Sequence, residues 1–130
     1  MNANREQALV LFRAGNRDRT SFLLLRESGR APHETMGFLA QQACEKFIKA
    51  VLVVHDVQFE RTHDLEWLWD HAALNGVAVP VDKAALRSLN PYAVALRYEG
   101  SDVIWVSSDK AAEMVDALYQ WARTGVGIEE

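Results

Sequence analysis

Apolar residues recur at helical spacing over most of the chain, and the most regular pattern lies between residues 38 and 54. This stretch contains no glycine or proline. Its apolar positions follow one another at steps of three and four, which places them on one face of a helix. That face is formed by Met36, Ala40, Ala43, Phe47, Val51 and Val54, and it is widened by Cys44, Ile48 and Leu52. A helix this apolar is expected to be the central element of a small domain, buried on most sides.

The polar residues of the same helix fall in one narrow arc. Gln42, Glu45, Lys46 and Lys49 lie within about a hundred degrees of one another when each residue turns the helix by 100°. The arc has two interpretations. It is either a solvated stripe with a Glu45–Lys49 pair worth tenths of a kcal/mol, or the wall of a cleft in which the ammonium groups meet phosphate oxygens.

Two further helices are predicted on either side of the central one. The first runs from about Asn4 to Glu27, and its apolar face consists of Ala8, Leu11 or Phe12, Phe22 and Leu25. The other runs from His63 to about Asn75. In this helix Thr62 is the expected N-cap, because its hydroxyl can accept a hydrogen bond from a free backbone N–H. Asp64 suits the first turn, where a carboxylate interacts favourably with the helix dipole. Gly76 is the expected left-handed C-cap, because glycine adopts a positive φ without strain.

The last part of the chain predicts two more helices. Asp82 caps the first of them, which Pro91 should kink or split after Leu89. Residues 99–106 are expected to be irregular, and one of the two serines at 107 and 108 caps the final helix. The tail from Gly125 is expected to be frayed. Together these helices predict an all-α fold, an up-and-down bundle of about five helices in a single domain spanning residues 1–130.

Composition narrows the function classes. The 130 residues are 49% hydrophobic and 25% charged, which is ordinary for a soluble globular domain, and the net charge of −4 does not attract nucleic acid to the molecule as a whole. A single cysteine, Cys44, excludes a disulfide framework and is expected to be a small core residue. His55 and His71 have no partner at metal-ligand spacing, so we predict neither metal nor cofactor. No apolar run is long enough to cross a membrane and no signal peptide is evident, which predicts a cytoplasmic protein.

Four segments in order are similar to the landmarks of one known family. They are QQACEKFIKAVL (41–52), RTHDL (61–65), LNPY (89–92) followed by Arg97-Tyr98, and SSDKAAEMVDALYQW (107–121). The first resembles the QAxEKxxKAxL segment of HEPN domains (higher eukaryotes and prokaryotes nucleotide-binding), and the second resembles the threonine-His-Asp-Leu turn of that family. The resemblance covers roughly residues 8–123.

The resemblance implies a helical bundle, commonly a homodimer, often encoded beside a minimal nucleotidyltransferase as a toxin–antitoxin pair. Related domains cleave RNA at a composite site across the dimer, whereas others bind nucleotides or recruit substrates. The cleaving branch carries an arginine followed by a histidine after four to six residues, late in the bundle. No histidine follows Arg97 here, Glu99 replaces the family's proline after Arg97-Tyr98, and the formal match from Arg26 to His33 lies at the wrong end. These departures favour a binding role.

The candidate site collects the polar residues of these segments. For nucleotide binding we predict Lys46, Lys49, Arg61, His63, Arg97 and Tyr98, supported by Gln42, Glu45, Asp64, Asn90 and Tyr92. Alternatives remain open at each place: capping alone accounts for residues 62–64, and Arg97 could form a structural ion pair with Glu45.

Three functions are compatible with the sequence. The first is a homodimeric module that binds nucleotide or RNA, or that partners a small nucleotidyltransferase. The second is a metal-independent RNase toxin in which His63 and Arg97 replace the missing motif. The third is a structural interaction protein without a ligand. Four tryptophans in so small a chain suggest a contact surface, since some must face outward.

Overall fold

The computed structural model describes residues 3–95 and 106–128, and within these ranges every regular element is a helix. The elements are α1 (Ala3–Ser28), α2 (His33–Val54), α3 (Leu65–Leu74), α4 (Lys83–Arg87), α5 (Tyr92–Ala95) and α6 (Ser108–Val126). The predicted all-α bundle is confirmed. In the described part of the chain, none of the helices is sufficiently long and apolar to cross a membrane.

α2 is the central helix, and it packs against α1, α3, α5 and α6. The apolar face predicted for it is confirmed, with Ala40, Phe47 and Leu52 fully buried. Three rings join the three long helices: Phe12 of α1 lies 5.5 Å from Phe47, and Tyr119 of α6 lies 5.7 Å and 5.9 Å from these two ring centroids. Tilted and edge-on rings at these separations stabilise a core beyond their buried area.

Two glycines allow close approach to the central helix. A Cβ atom at Gly15 of α1 would lie 2.9 Å from Cε1 of Phe47, and one at Gly37 of α2 would lie 2.1 Å from Cδ1 of Tyr92. Both distances are shorter than carbon atoms tolerate. Gly15 therefore has a packing reason to interrupt the helical pattern of α1, and Gly37 makes room for the Tyr92 ring.

The start of α3 differs from the prediction. The helix begins at Leu65, and its N-cap is Asp64, whose Oδ1 accepts hydrogen bonds from the backbone N–H groups of Glu66 (2.9 Å) and Trp67 (3.1 Å). Thr62 instead accepts a bond from the Asp64 N–H at 3.0 Å. The prediction of Thr62 as N-cap is wrong because Asp64 lies closer to the free N–H groups of the first turn, and the aspartate carboxylate satisfies two of them.

The remaining helix ends follow from local chemistry. Gly76 has φ of 78° after α3, as predicted, and Pro91 separates α4 from α5, also as predicted. Ser107 caps α6 by accepting from the Lys110 N–H at 3.2 Å. The prediction of fraying from Gly125 is wrong for the described part of the tail, since α6 continues to Val126 and ends at Gly127 with φ of 80°. The irregular segment predicted at 99–106 lies outside the described residues, apart from Val106.

Candidate functional site

Glu45 of α2 is the charged centre of the site, although it is only 4% exposed. Its Oε1 accepts from Gln41 Nε2 at 3.1 Å and lies 2.8 Å from His63 Nδ1, while its Oε2 accepts from Lys49 Nζ at 2.9 Å. A buried carboxylate is costly unless it is paired and hydrogen-bonded. The three donors meet that requirement.

The helical period explains why these side chains meet. Gln41, Glu45 and Lys49 are spaced by four residues, so they form one column along α2. The outer members of the column also hold the backbone that crosses above it: Gln41 Nε2 donates to the His63 carbonyl at 3.0 Å, and Lys49 Nζ donates to the Thr62 carbonyl at 2.8 Å. We call Gln41, Glu45, Lys49, Thr62 and His63 the Glu45 network.

Of the two interpretations of the arc, the solvated stripe is therefore wrong for Glu45 and Lys49. Glu45 and Lys49 do form the expected pair, but their side chains are only 5% and 12% exposed. They contact the segment between α2 and α3, which the pattern within α2 does not reveal. Gln42 lies at the edge of the network and donates to Gln41 Oε1 at 2.7 Å.

Asp64 and Asn90 fix the other side of the same segment. Asn90 Nδ2 donates to Asp64 Oδ1 at 2.9 Å, and the Leu65 N–H donates to Asn90 Oδ1 at 2.8 Å. Asn90 lies in the turn between α4 and α5, so this pair connects that turn to the start of α3. Segment 61–64 is thus bonded to α2 through the Glu45 network and to the α4–α5 turn through Asn90.

Arg61, His63 and Asp64 of this fixed segment are exposed, and of these Asp64 is already bonded to the first turn of α3 and to Asn90. The His63 side chain is 63% exposed although its Nδ1 contacts the buried Glu45. Arg61 is exposed, and its guanidinium makes no ion pair or hydrogen bond with the residues that the structure describes. The sequence pattern predicts His63 in the first helical turn, and this prediction is wrong, since His63 precedes Asp64, the N-cap of α3. Its ring is oriented by a carboxylate, in the way that carboxylates orient metal-bound or catalytic imidazoles.

Lys46 belongs to a different neighbourhood. Its Nζ lies 2.6 Å from Asp18 Oδ2 of α1, so it pairs across the α1–α2 contact. Lys46 and Lys49 are adjacent in the predicted arc, yet the two ammonium groups bond to different carboxylates on different sides of α2. Asp18 could not be predicted as the partner of Lys46, because nothing in α1 alone distinguishes Asp18 from the other polar residues there.

The third predicted landmark is described only in part. Tyr92 is buried, its ring lies against Gly37, and its hydroxyl accepts from the Val106 N–H at 2.8 Å. Burial raises the pKa of the Tyr92 hydroxyl, and the bond from Val106 opposes that shift. Arg97 and Tyr98 lie outside the described residues, so their predicted roles, including an Arg97–Glu45 ion pair, stay predictions.

Comparison with known proteins identifies the family. A model of the HEPN domain matches residues 8–121, which is most of the chain. The chain belongs to the HEPN family. The resemblance seen in the four sequence segments is thereby confirmed. No curated protein and no solved structure matches the chain.

Within this HEPN domain the first two landmarks form one site. The helix segment supplies Glu45 and Lys49, and the threonine-His-Asp-Leu turn supplies the groups that they hold. Gln41 was not among the predicted site residues, although its spacing of four from Glu45 is a signal that it shares the same face. Across the described residues, no group of three or more His, Cys, Asp or Glu side chains is arranged to hold a metal ion.

Proposed function

We propose that this HEPN domain is a nucleotide-binding module that works with a small nucleotidyltransferase, as one half of a toxin–antitoxin-type pair. The observation that supports it is the presentation of Arg61 and His63 on a segment that the Glu45 network holds in place. Family membership supports the general class. The choice of nucleotide as ligand rests on the chemistry of these exposed groups.

Arg61 is the proposed phosphate-binding group. A guanidinium fork can donate two parallel hydrogen bonds to a phosphate, and the bonds are strengthened by charge. Arg61 makes no ion pair with the described residues, so phosphate binding need not break an existing one. Its backbone lies beside Thr62, whose carbonyl is bonded to Lys49, so less ordering is required on binding.

The other predicted residues have three different roles in this proposal. Arg97 and Tyr98 join Arg61 and His63 as ligand contacts on the strength of the sequence landmark. Lys49 and the five supporting residues Gln42, Glu45, Asp64, Asn90 and Tyr92 hold the architecture around the ligand. Lys46 would act only from a distance, since Asp18 neutralises it.

A thermal-shift titration with ATP, GTP and a short RNA tests the proposal. The melting temperature should rise with nucleotide concentration, because a ligand that binds only the folded state stabilises it by mass action. Added salt should weaken the effect by screening the exposed phosphate contact. Arg61→Ala should remove most of the shift. Arg30→Ala is the matched control, since Arg30 is also an exposed loop arginine without an ion pair to the described residues. A flat response to all three ligands in the folded protein would reject nucleotide binding.

One observation favours the RNase alternative. The Nδ1 atom of His63 bonds to a buried carboxylate while most of the ring is exposed, which is how an imidazole general base is held. A nuclease of this kind would cleave transfer or messenger RNA without a metal. Cleavage that persists in EDTA and disappears in His63→Ala would establish this alternative and displace the binding role.

A further inference from the structure

We infer that His63 recognises a ribose hydroxyl, so that the site distinguishes ribonucleotides from their deoxy analogues. The inference rests on the proposed nucleotide binding and adds to it the part of the ligand that His63 contacts. It follows from the side of the imidazole that the Glu45 network leaves free.

Glu45 determines which ring nitrogen of His63 carries the hydrogen. His63 Nδ1 lies 2.8 Å from Glu45 Oε1, and an ionised carboxylate can only accept a hydrogen bond. Nδ1 must then carry the hydrogen. In a neutral imidazole the other nitrogen, Nε2, bears a lone pair and is an acceptor. Among the described residues no group bonds to Nε2, and the ring is largely exposed.

Only some groups of a nucleotide can donate a hydrogen bond to the acceptor His63 Nε2. Phosphate oxygens are themselves acceptors, so they do not pair with the lone pair of a neutral ring. Nucleotides offer donors at the ribose hydroxyls and at the base edges. The donors nearest to the phosphate along a nucleotide are the ribose hydroxyls.

Arg61 and His63 are close enough in the chain to bind the phosphate and the adjoining sugar of one nucleotide. Arg61 and His63 are separated by two positions, and two residues of chain span at most about 7 Å. Arg61 is a pure donor and suits the phosphate, whereas His63 Nε2 suits a hydroxyl of the adjoining sugar. The ribose hydroxyl is also the group by which proteins distinguish RNA from DNA at a given position.

The substitution His63→Asn separates recognition of the ribose hydroxyl from the structural role of His63. The amide of asparagine can reach the position of Nδ1 and donate to Glu45, but it has no atom at the position of Nε2. His63→Asn should therefore keep the bond to Glu45 while removing the outward acceptor. A residue with only a structural role would be replaced by asparagine without loss of ligand discrimination.

The experiment is isothermal titration at pH 8 with ATP, 2′-deoxyATP and 3′-deoxyATP. The wild-type protein should bind ATP about five- to tenfold more tightly than one of the two deoxy analogues, which is the effect of one hydrogen bond. The analogue that binds weakly identifies the hydroxyl. In His63→Asn, ATP should bind no better than that analogue, and the melting temperature without ligand should stay near the wild-type value.

The outcomes separate the two proposals. Equal wild-type affinity for all three nucleotides would overturn the role of His63 while leaving nucleotide binding intact. Discrimination that survives in His63→Asn would also overturn it, since some other group must then contact the hydroxyl. Absence of binding to all three adenine nucleotides would overturn this inference, whereas the proposed function is overturned only if GTP and the short RNA also give no thermal shift.

Discussion

Glu45 is the residue on which most of the site depends. Glu45→Ala would leave the Lys49 ammonium and the Gln41 amide without the carboxylate that they share. Removing one partner of a largely buried ion pair typically costs about 3–5 kcal/mol. We therefore expect the free energy of unfolding in urea to fall by about that amount.

The matched control for this substitution is Asp116→Ala on α6. Asp116 lies 3.8 Å from Arg19, but its side chain is 63% exposed, and exposed pairs contribute at most about 1 kcal/mol. A Glu45→Ala protein as stable as the Asp116→Ala protein would show that the Glu45 network contributes little to folding.

Cys44 illustrates the opposite case, a reactive side chain that the fold makes inert. It is fully buried on α2, and burial raises the pKa of its thiol because the thiolate would lose its hydration. We expect no reaction with a chromogenic disulfide reagent at pH 8 in the native protein, and complete reaction in 6 M guanidinium, a denaturing concentration for ordinary domains. Rapid reaction of the native protein would show that α2 opens frequently.

The contact between α2 and α5 leaves no room for a Cβ atom at Gly37. Gly37→Ala would place a Cβ atom 2.1 Å from the Tyr92 ring, which is buried and cannot swing into solvent. Overpacking of this kind costs typically about 1–3 kcal/mol, and here we expect the upper end of that range.

A double-mutant cycle isolates this contact. In a Tyr92→Ala background the clash is absent, and an alanine within a helix is favoured over glycine by up to about 1 kcal/mol. Gly37→Ala should then be neutral or stabilising in urea denaturation. An equal loss of stability in both backgrounds would contradict the close contact between Gly37 and Tyr92.

At the scale of elements, the helices could be predicted because their signals are local. The spacing of Ala40, Phe47 and Val51 defines the inner face of α2 wherever the other helices lie. Helix ends are less certain where neighbouring residues compete: Thr62 and Asp64 can both cap, and the geometry of the preceding segment decides between them. The position of the polar arc on α2 could be predicted from the sequence. Its contact with segment 61–64 could not, since that segment follows Glu45 by sixteen positions (from 45 to 61).

Charge is distributed unevenly over the whole molecule. Residues 1–30 contain six arginines and three carboxylates, whereas the remainder of the chain is strongly acidic. On the outer face of α1, Arg13 and Arg17 are exposed between two exposed apolar residues, Val10 (64%) and Leu24 (63%). Arginine is enriched at protein contact surfaces relative to the rest of the surface.

We predict a homodimer on the basis of these exposed apolar groups. The tryptophans do not supply the expected outward surface within the described residues, since Trp67, Trp69 and Trp121 are partly buried against the core. Light scattering across a micromolar concentration series should give twice the chain mass of 14.6 kDa. The mass should fall toward one chain on dilution if the dimer is weak. A constant mass of one chain up to the highest concentration would contradict this prediction.

The Glu45 network has a consequence for how this sequence varies in evolution. Two segments that look like separate motifs in the sequence are joined in the structure. The Glu45 carboxylate bonds to Gln41 and Lys49 of the first segment and to His63 of the second. A substitution at position 45 leaves its former partners unsatisfied, so relatives that change it should also carry compensating changes at 49 and 63. In an alignment of such relatives these positions should covary as a block, while Lys46 should covary instead with position 18.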